Sequence, residues 1–372
     1  MDCFLTIALY ASICLIVGID IKKKCFCCQE NNEIVSYRKE RISIPLVAFF
    51  ALLYTLLNIL VTNMSQHMGG DRTNYLYEFT TGRKSSTGLD FIFFVVKKIN
   101  LDIYAVFYLT TFSCIFMILL AFRRNKNAGY RTLIFLMCTN LVFFTFTGLK
   151  QSYAIGFSAL LFSNMLAKEK KELITLENIL LIILASLFHT TGFILILLYL
   201  LFLIQRKNNR YTMLVIFGLA VVLVAFQPLC LLIAKVSSGV FPSLSVKLLQ
   251  YFGNSALDSD SGSMVFIKGT PFYALFLYGC IFRKAFKNKN SQYDSYLILT
   301  GIASLFFLAS AKQYWMYRFT YMFYFPMGVF YDQLIGWNKR GNQIMIMLTV
   351  ALPVLVLNIR ELTMIFSRYG GF

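Results

Sequence analysis

Residues 179–204 read ILLIILASLFHTTGFILILLYLLFLI. A membrane-spanning helix takes about 20 apolar residues, so this run is long for one span and short for two. His189, Thr190, Thr191 and Gly192 interrupt it at its middle. Basic loops flank it at Lys168–Lys171 and Arg206–Arg210, and loops rich in Lys and Arg stay on the cytoplasmic side. Both loops lie inside only if the chain turns back halfway, as two short half-spans meeting near His189. Irregular backbone at membrane depth is tolerated only inside protein or beside a water-filled cavity. Loop parity therefore argues for a cavity on the outer side, reached by His189. One long tilted helix is the plainer alternative.

Composition carries the same reading along the whole chain. Of 372 residues, 58% are hydrophobic and only 14% are charged, with a mean hydropathy of +0.67. Soluble domains are roughly a quarter charged, so the surface itself must be apolar. A soluble enzyme, a disordered tail and a secreted disulfide scaffold are excluded. Apolar runs lie at about 3–19, 44–62, 101–122, 132–149, 151–167, 179–204, 212–234, 270–282, 295–311, 319–335 and 343–359. The expected fold is an all-α polytopic integral membrane protein, with about 10–12 spanning helices, some short or broken. All of 1–372 is read as a single transmembrane domain. Met1–Ile19 reads as a retained first helix, since it lacks a basic n-region and a clear cleavage site.

The net charge of +18 sits in short loops between apolar runs, as the positive-inside rule requires, and does not indicate nucleic acid. More than half of the 35 Lys and Arg fall in Lys22–Arg41, Arg123–Arg131, Lys168–Lys171, Arg206–Arg210, Arg283–Lys289 and Lys339–Arg340. Placing these in the cytoplasm puts both termini outside. Two long outer segments remain, 62–100 and 235–269, read as lids on the external face with amphipathic pieces on the membrane surface. Within the first, Asp90–Asn100 is a short apolar patch ending in Lys97 and Lys98. Cys3, Cys14, Cys114, Cys138, Cys230 and Cys280 read as small hydrophobes. Cys25, Cys27 and Cys28 lack zinc-finger spacing and have no histidine nearby.

Ionisable residues within spans are costly and mark function by default. Lys150 interrupts an apolar stretch, and His189 sits at the expected turn. Lys312 and Arg318 flank a late span, while Asp71, Arg72 and Glu78 lie in the first outer segment. The topology puts all of them on the outer face. A helix starting at Asp71 carries Tyr75 and Glu78 on the same side, at i+4 and i+7, with Leu76 and Phe79 on another. Asp71 as a simple helix cap is the alternative. Arg318 offers a planar fork suited to phosphate, and the aromatic residues around it suit a sugar ring or the membrane interface. His189 is suited to accept a proton near neutral pH, or to a packing hydrogen bond.

Taken in order, Gly69-x-Asp71-x-x-x-Tyr75, Lys150–Gln151, Phe188-His189-Thr190-Thr191 and Tyr317-Arg318 with Tyr321 resemble the EpsG family of exopolysaccharide membrane proteins, which are Wzy-like polymerases. The resemblance runs from about residue 45 to 335. Position 150 departs from the expected Arg, keeping the charge but losing the bidentate fork. The resemblance implies polymerisation of undecaprenyl-pyrophosphate-linked oligosaccharide repeat units into exopolysaccharide, capsule or O-antigen, outside the cytoplasmic membrane. The leaving pyrophosphate needs cations, for which Lys150, Arg318 and Arg72 are candidates; Tyr75, Gln151 and Tyr321 join them as substrate-binding residues. The attacking hydroxyl needs a base, for which His189, Asp71 and Glu78 are candidates. No cofactor, nucleotide or metal is implied. Expected partners are the lipid-linked oligosaccharides, membrane lipid, and a chain-length regulator and flippase of the same pathway. Two other readings remain: a flippase, which needs polar residues through the full bilayer depth, and an acyltransferase with His189 as base.

Overall fold

A computed structural model describes residues 44–64, 70–125, 127–139, 148–167, 174–207, 259–287, 292–310 and 316–357, with a few positions between 218 and 249. The stretch Met1–Ile19, the loop holding Cys25, Cys27 and Cys28, His67, Gly69, most of 212–234, Asn254–Asp258 and Lys312–Trp315 lie outside the described residues. The fold is all-helical, with no strand among the described residues. The chain divides into two compact units.

The first unit comprises residues 1–198, 324–338 and 354–372. It contains α1 (Ile44–Met64), α2 (Gly70–Thr81), α3 (Thr87–Lys98), α4 (Ile103–Arg124), α5 (Tyr130–Cys138), α6 (Leu149–Ala167), α7 (Leu176–Phe188) and the start of α8 (Ile194–Lys207). α12 (Tyr324–Trp337) also belongs here. Local chemistry sets the ends of these helices. Asp102 caps α4 by accepting from the Ala105 N–H at 3.3 Å, and Arg123 and Arg124 complement the dipole in its last turn. Thr175 caps α7 by accepting from the Asn178 N–H at 3.2 Å.

The centre of this unit is α6, buried from Gln151 to Tyr153 and along nearly its whole length, against α4, α7 and α12. Small residues let the helices approach closely, as expected where water does not drive packing. A Cβ on Gly156 of α6 would lie 2.4 Å from the Met117 side chain of α4. Ser163 donates to the Ala121 carbonyl oxygen at 2.8 Å, tying α6 to α4. At the ends carrying basic loops, buried or half-buried polar groups join neighbours. Asn164 donates to Asn178 at 3.2 Å, and Arg124 pairs with Glu177. Thr132 of α5 donates to Asp332 of α12 at 3.3 Å, with Arg131 3.7 Å from the same carboxylate.

The second unit comprises 199–323 and 339–353. It holds α9 (Ser259–Phe286), α10 (Tyr293–Ser310), α11 (Tyr317–Thr320) and α13 (Arg340–Ile346), which runs on through a π-helical turn at Met347–Ala351. The α9–α10 pair is stitched along its length. Tyr293 donates to the Gly279 carbonyl oxygen at 2.7 Å, Ser304 to that of Phe272 at 3.2 Å, and Phe272 stacks on Phe307 at 4.6 Å. The buried Asp294 accepts from Arg283 at 2.7 and 3.1 Å and pairs with Lys287 at 3.1 Å. α9 departs from the apolar run 270–282. It begins at Ser259 and takes up residues 259–269, read from the sequence as part of the outer segment 235–269. Gly and Ser in a helix interior cost under about 1 kcal/mol each, which packing readily offsets.

Exposed side chains identify the surrounding solvent. On α7, Leu176, Ile179, Leu180, Ile183 and Leu187 are exposed while Leu181, Ile182, Ala185 and Phe188 are buried. α8 exposes Ile196, Leu197, Leu200 and Ile204, and α13 with its continuation exposes Ile344, Met345, Leu348, Leu352 and Val356. These are apolar stripes at helical spacing that face outward, an arrangement suited to lipid. Three helices among the described residues, Ile103–Arg124, Tyr293–Ser310 and Arg340–Leu357, are long and apolar enough to cross a membrane.

The stretch 179–204 is not one helix. α7 stops at Phe188, His189 is extended (φ −149°, ψ 141°), and a 3-10 turn at Thr190–Phe193 leads into α8. A Cβ on Gly192 would meet the backbone of Ala185 and Ser186 at 2.5 Å, so the chain bends back sharply here. At roughly 1.5 Å per residue, α7 and α8, with 13 and 14 residues, each reach less than the thickness of a bilayer core.

Candidate functional site

The site is built on the α2–α3 hairpin. α2 ends at Gly82, whose φ of 73° is accessible to glycine and whose N–H reaches the Glu78 carbonyl oxygen at 3.1 Å. Asp90, in the first turn of α3, accepts from the Ser85 N–H at 2.9 Å and orders the connection. Tyr75 and Phe79 of α2 then pack with Leu89, Phe93 and Val96 of α3, Ile103, Val106 and Phe107 of α4, and Leu149 of α6. Phe79 meets Phe93 edge-on at 5.3 Å. This cluster holds the hairpin against the starts of α4 and α6. Leu76 and Phe79, grouped on one side in the sequence reading, separate: Leu76 is exposed and Phe79 is buried with Tyr75.

Lys150 lies in the first turn of α6. A cation at a helix N-terminus is opposed by the helix dipole, so it needs a partner. Glu78 supplies one: its Oε1 is 3.3 Å from Lys150 Nζ, with the two side chains 17% and 21% exposed. The ammonium also lies 5.3 Å from the centre of the Tyr75 ring. Glu78 Oε2 is buried and has no hydrogen-bond partner. Tyr75, Glu78 and Lys150, each singled out in the sequence, are thus brought together.

His189 is tied to this end of the unit through its neighbour. Phe188 stacks on Tyr153 at 4.2 Å, and Tyr153 is one helical turn beyond Lys150. Gly88 of α3 packs against the Phe188 ring so closely that a Cβ there would lie 2.8 Å from it. The imidazole itself has a local job. Nδ1 accepts from the Thr191 N–H at 3.1 Å and is 2.8 Å from Thr191 Oγ1, capping the 3-10 turn.

Arg72 lies over two rings, 5.3 Å from the centre of Tyr104 and 5.1 Å from that of Phe107. Gln151 is buried beside Lys150. Asp71 is in α2, but its side chain lies outside the described residues. Arg318 and Tyr321 belong to the second unit. Arg318 is exposed on α11, whereas Tyr321 is buried, its ring edge-on to Tyr317 at 4.9 Å, and Lys268 Nζ is 5.4 Å from the Tyr317 ring. Among the described residues there is no group of His, Cys, Asp and Glu that could hold a metal ion.

The structure adds residues that the sequence did not mark. Ser85 Oγ and Ser86 Oγ are buried without hydrogen-bond partners, and Ser86 occupies the N-cap of α3 without using its side chain to cap. A pair of serines before an apolar patch is too common in loops to stand out in a sequence. Tyr153, four residues into α6, reads as core until its ring is seen against Phe188.

Lipid-facing stripes around buried helices, with a cation, a carboxylate and aromatic rings gathered at one end of the first unit, define a helical membrane protein with a polar site among its helix ends. The model of the EpsG family matches residues 47–366, and the chain belongs to the EpsG family. That places it among membrane proteins of exopolysaccharide biosynthesis. A search of curated proteins and a search of solved structures each found no match.

Proposed function

We propose that this chain is a Wzy-like polymerase, a multi-pass protein of the bacterial cytoplasmic membrane with about 10–12 spans and its site on the outer face. Its substrates are undecaprenyl-pyrophosphate-linked oligosaccharide repeats, and its product is exopolysaccharide, capsule or O-antigen. The Glu78–Lys150 pair carries this reading. It sets an unpartnered acceptor oxygen and a cation side by side among the helix ends of the first unit.

In the reaction the bond between the anomeric carbon of the growing chain and its pyrophosphate breaks. A hydroxyl of the incoming lipid-linked unit forms the new glycosidic bond. Its proton passes to a base, and the electron pair leaves on the pyrophosphate. Lys150 stabilises that developing charge, with Arg72 as a further cation of the same unit, and Arg318 is a candidate phosphate-binding cation of the second unit. Tyr75 and Gln151 line the same end of the first unit as Lys150, and Tyr321 is a candidate substrate-binding residue of the second unit. Glu78 is the favoured base, because Oε1 is held by Lys150 while the buried Oε2 has no hydrogen-bond partner. His189 is less suited to be the base, because Nδ1 is occupied by the Thr191 N–H, so a neutral ring carries its proton on Nε2 and donates there. Asp71 remains the third candidate base. No cofactor takes part. Segment 62–100 and the part of 235–269 that precedes α9 act as outer lids on a single transmembrane domain, and a chain-length regulator and a flippase are the expected partners.

A deletion strain complemented with Glu78→Gln or Lys150→Ala tests the function. A polymerase defect leaves single repeats on lipid, exposed outside, with no polymer. Repeats trapped on the inner leaflet would mean a flippase, and complete polymer lacking an acyl group would mean an acyltransferase.

A further inference from the structure

A buried polar atom without a partner costs about 1–3 kcal/mol, so proteins keep few of them. In this chain Glu78 Oε2, Ser85 Oγ and Ser86 Oγ are three such atoms within nine residues. All three lie on one hairpin, between the end of α2 and the start of α3. The hairpin is not loosely placed. Its α2 side is fixed by Tyr75 and Phe79 in the core and by the Glu78–Lys150 pair. Its α3 side is fixed by Gly88 against Phe188. The Ser85 backbone is already held by Asp90, so its hydroxyl is not needed to shape the turn. Ser86 stands at an N-cap, where serine normally turns its oxygen onto the helix, and here it does not.

The chemistry of the three atoms is specific. A carboxylate oxygen only accepts, whereas a serine hydroxyl both donates and accepts. A phosphate, itself an acceptor, would be repelled by Glu78 Oε2. A saccharide presents several hydroxyls that donate and accept at once, and it fits all three. We propose that Ser85, Ser86 and Glu78 Oε2 form a saccharide subsite on the hairpin that carries the Lys150 contact, in which the incoming sugar is held by its hydroxyls, the one that Glu78 deprotonates lying on Oε2. Ser85 and Ser86 determine specificity by recognising the sugar, while Lys150 meets the phosphate. This rests on the polymerase reading for the identity of the lipid-linked ligand.

The test uses the full chain in lipid nanodiscs, with Ser85→Ala, Ser86→Ala and the double variant. Two probes are compared: undecaprenyl pyrophosphate alone, and the same lipid carrying the host's repeat unit. Binding is measured for each, and Tm without ligand is recorded. The double variant is expected to lose about tenfold of the affinity that the sugar adds. It should keep its affinity for the bare lipid, and its Tm should be unchanged or higher, because two unsatisfied hydroxyls have gone. A lower Tm means the hydroxyls hold the hairpin and overturns the proposal. So does an unchanged sugar increment, or an equal loss for both probes. Ser85→Thr provides a second arm: it keeps the hydroxyl and adds a methyl, so it should weaken sugar binding by crowding while preserving the bare-lipid affinity. Failure of the polymerase reading looks different. There, even the native chain would bind neither lipid, or would bind both without making polymer.

Discussion

Glu78 and Lys150 are 72 positions apart in the chain and 3.3 Å apart in the fold. The contact joins a short hairpin helix to the first turn of α6, a helix buried along nearly its whole length. It neutralises a lysine that the α6 dipole disfavours, while leaving one buried carboxylate oxygen without a hydrogen-bond partner.

Breaking this pair from either side should cost both stability and activity. Glu78→Gln and Lys150→Gln should each lose about 1–3 kcal/mol, because a half-buried charge is left without its counterpart. The double variant should lose about 1 kcal/mol less than the sum. Thermal unfolding in nanodiscs measures the cycle. All three variants should lose polymer about 10²-fold or more. Strict additivity would show that the contact is incidental.

The capping and proton roles of His189 can be separated. His189→Ala should lose about 1 kcal/mol, as cap removals do. His189→Asn restores a side-chain acceptor to the turn and should recover that stability. If polymer returns with it, capping is the whole role of the residue. If polymer stays down by about 10²–10⁴, the ring takes part in proton transfer.

Gly192→Ala should damage the same turn from the backbone side. Its Cβ would overlap main-chain atoms of Ala185 and Ser186, which cannot move aside as a side chain can. A loss of about 1–3 kcal/mol is expected, with loss of polymer even though every proposed site residue is intact. Normal thermal stability in this variant would contradict the tight bend.

Arg318→Ala should abolish polymer, and Arg318→Lys should retain part of it, since lysine offers a point charge without the fork. Removing a preorganised contact to developing charge costs about 10²–10³ in rate. Polymer yield at matched abundance is the readout, and a normal yield from Arg318→Ala rejects the role.

Topology is testable at the two ends of α9. Cysteines at Ser261 and Asn288, in a background lacking accessible thiols, should label from outside and inside respectively. Labelling of both from one side would remove the outer placement of the site.

Much of the architecture is legible from hydropathy alone. The apolar runs at 44–62, 101–122 and 295–311 become α1, α4 and α10 with ends moved by only a few residues, because an apolar helix is set by its own side chains and the solvent around it. The break at His189 is legible as well, since loop charge demands a turn and the polar residues sit at its centre. The start of α9 was not, because Ser259, Gly262 and Ser263 have weak helical preference and join the helix for reasons outside their own sequence.

The sequence by itself determined the solvent of this protein, the positions of several of its described helices and a short set of ionisable residues worth testing. Those follow from local composition: hydropathy is a property of each segment, and a charge in an apolar run stands out wherever the chain goes. Only the tertiary structure decided which candidates meet. It joined Glu78 to Lys150 over Tyr75, gave the His189 ring a cap to hold, and separated Phe79 in the core from Leu76 at the surface. It also left the hydroxyls of Ser85 and Ser86 buried and unpartnered. Contacts of this kind depend on how distant helices pack, and a hydroxyl lacks a partner only in relation to everything around it, so no single segment carries that information.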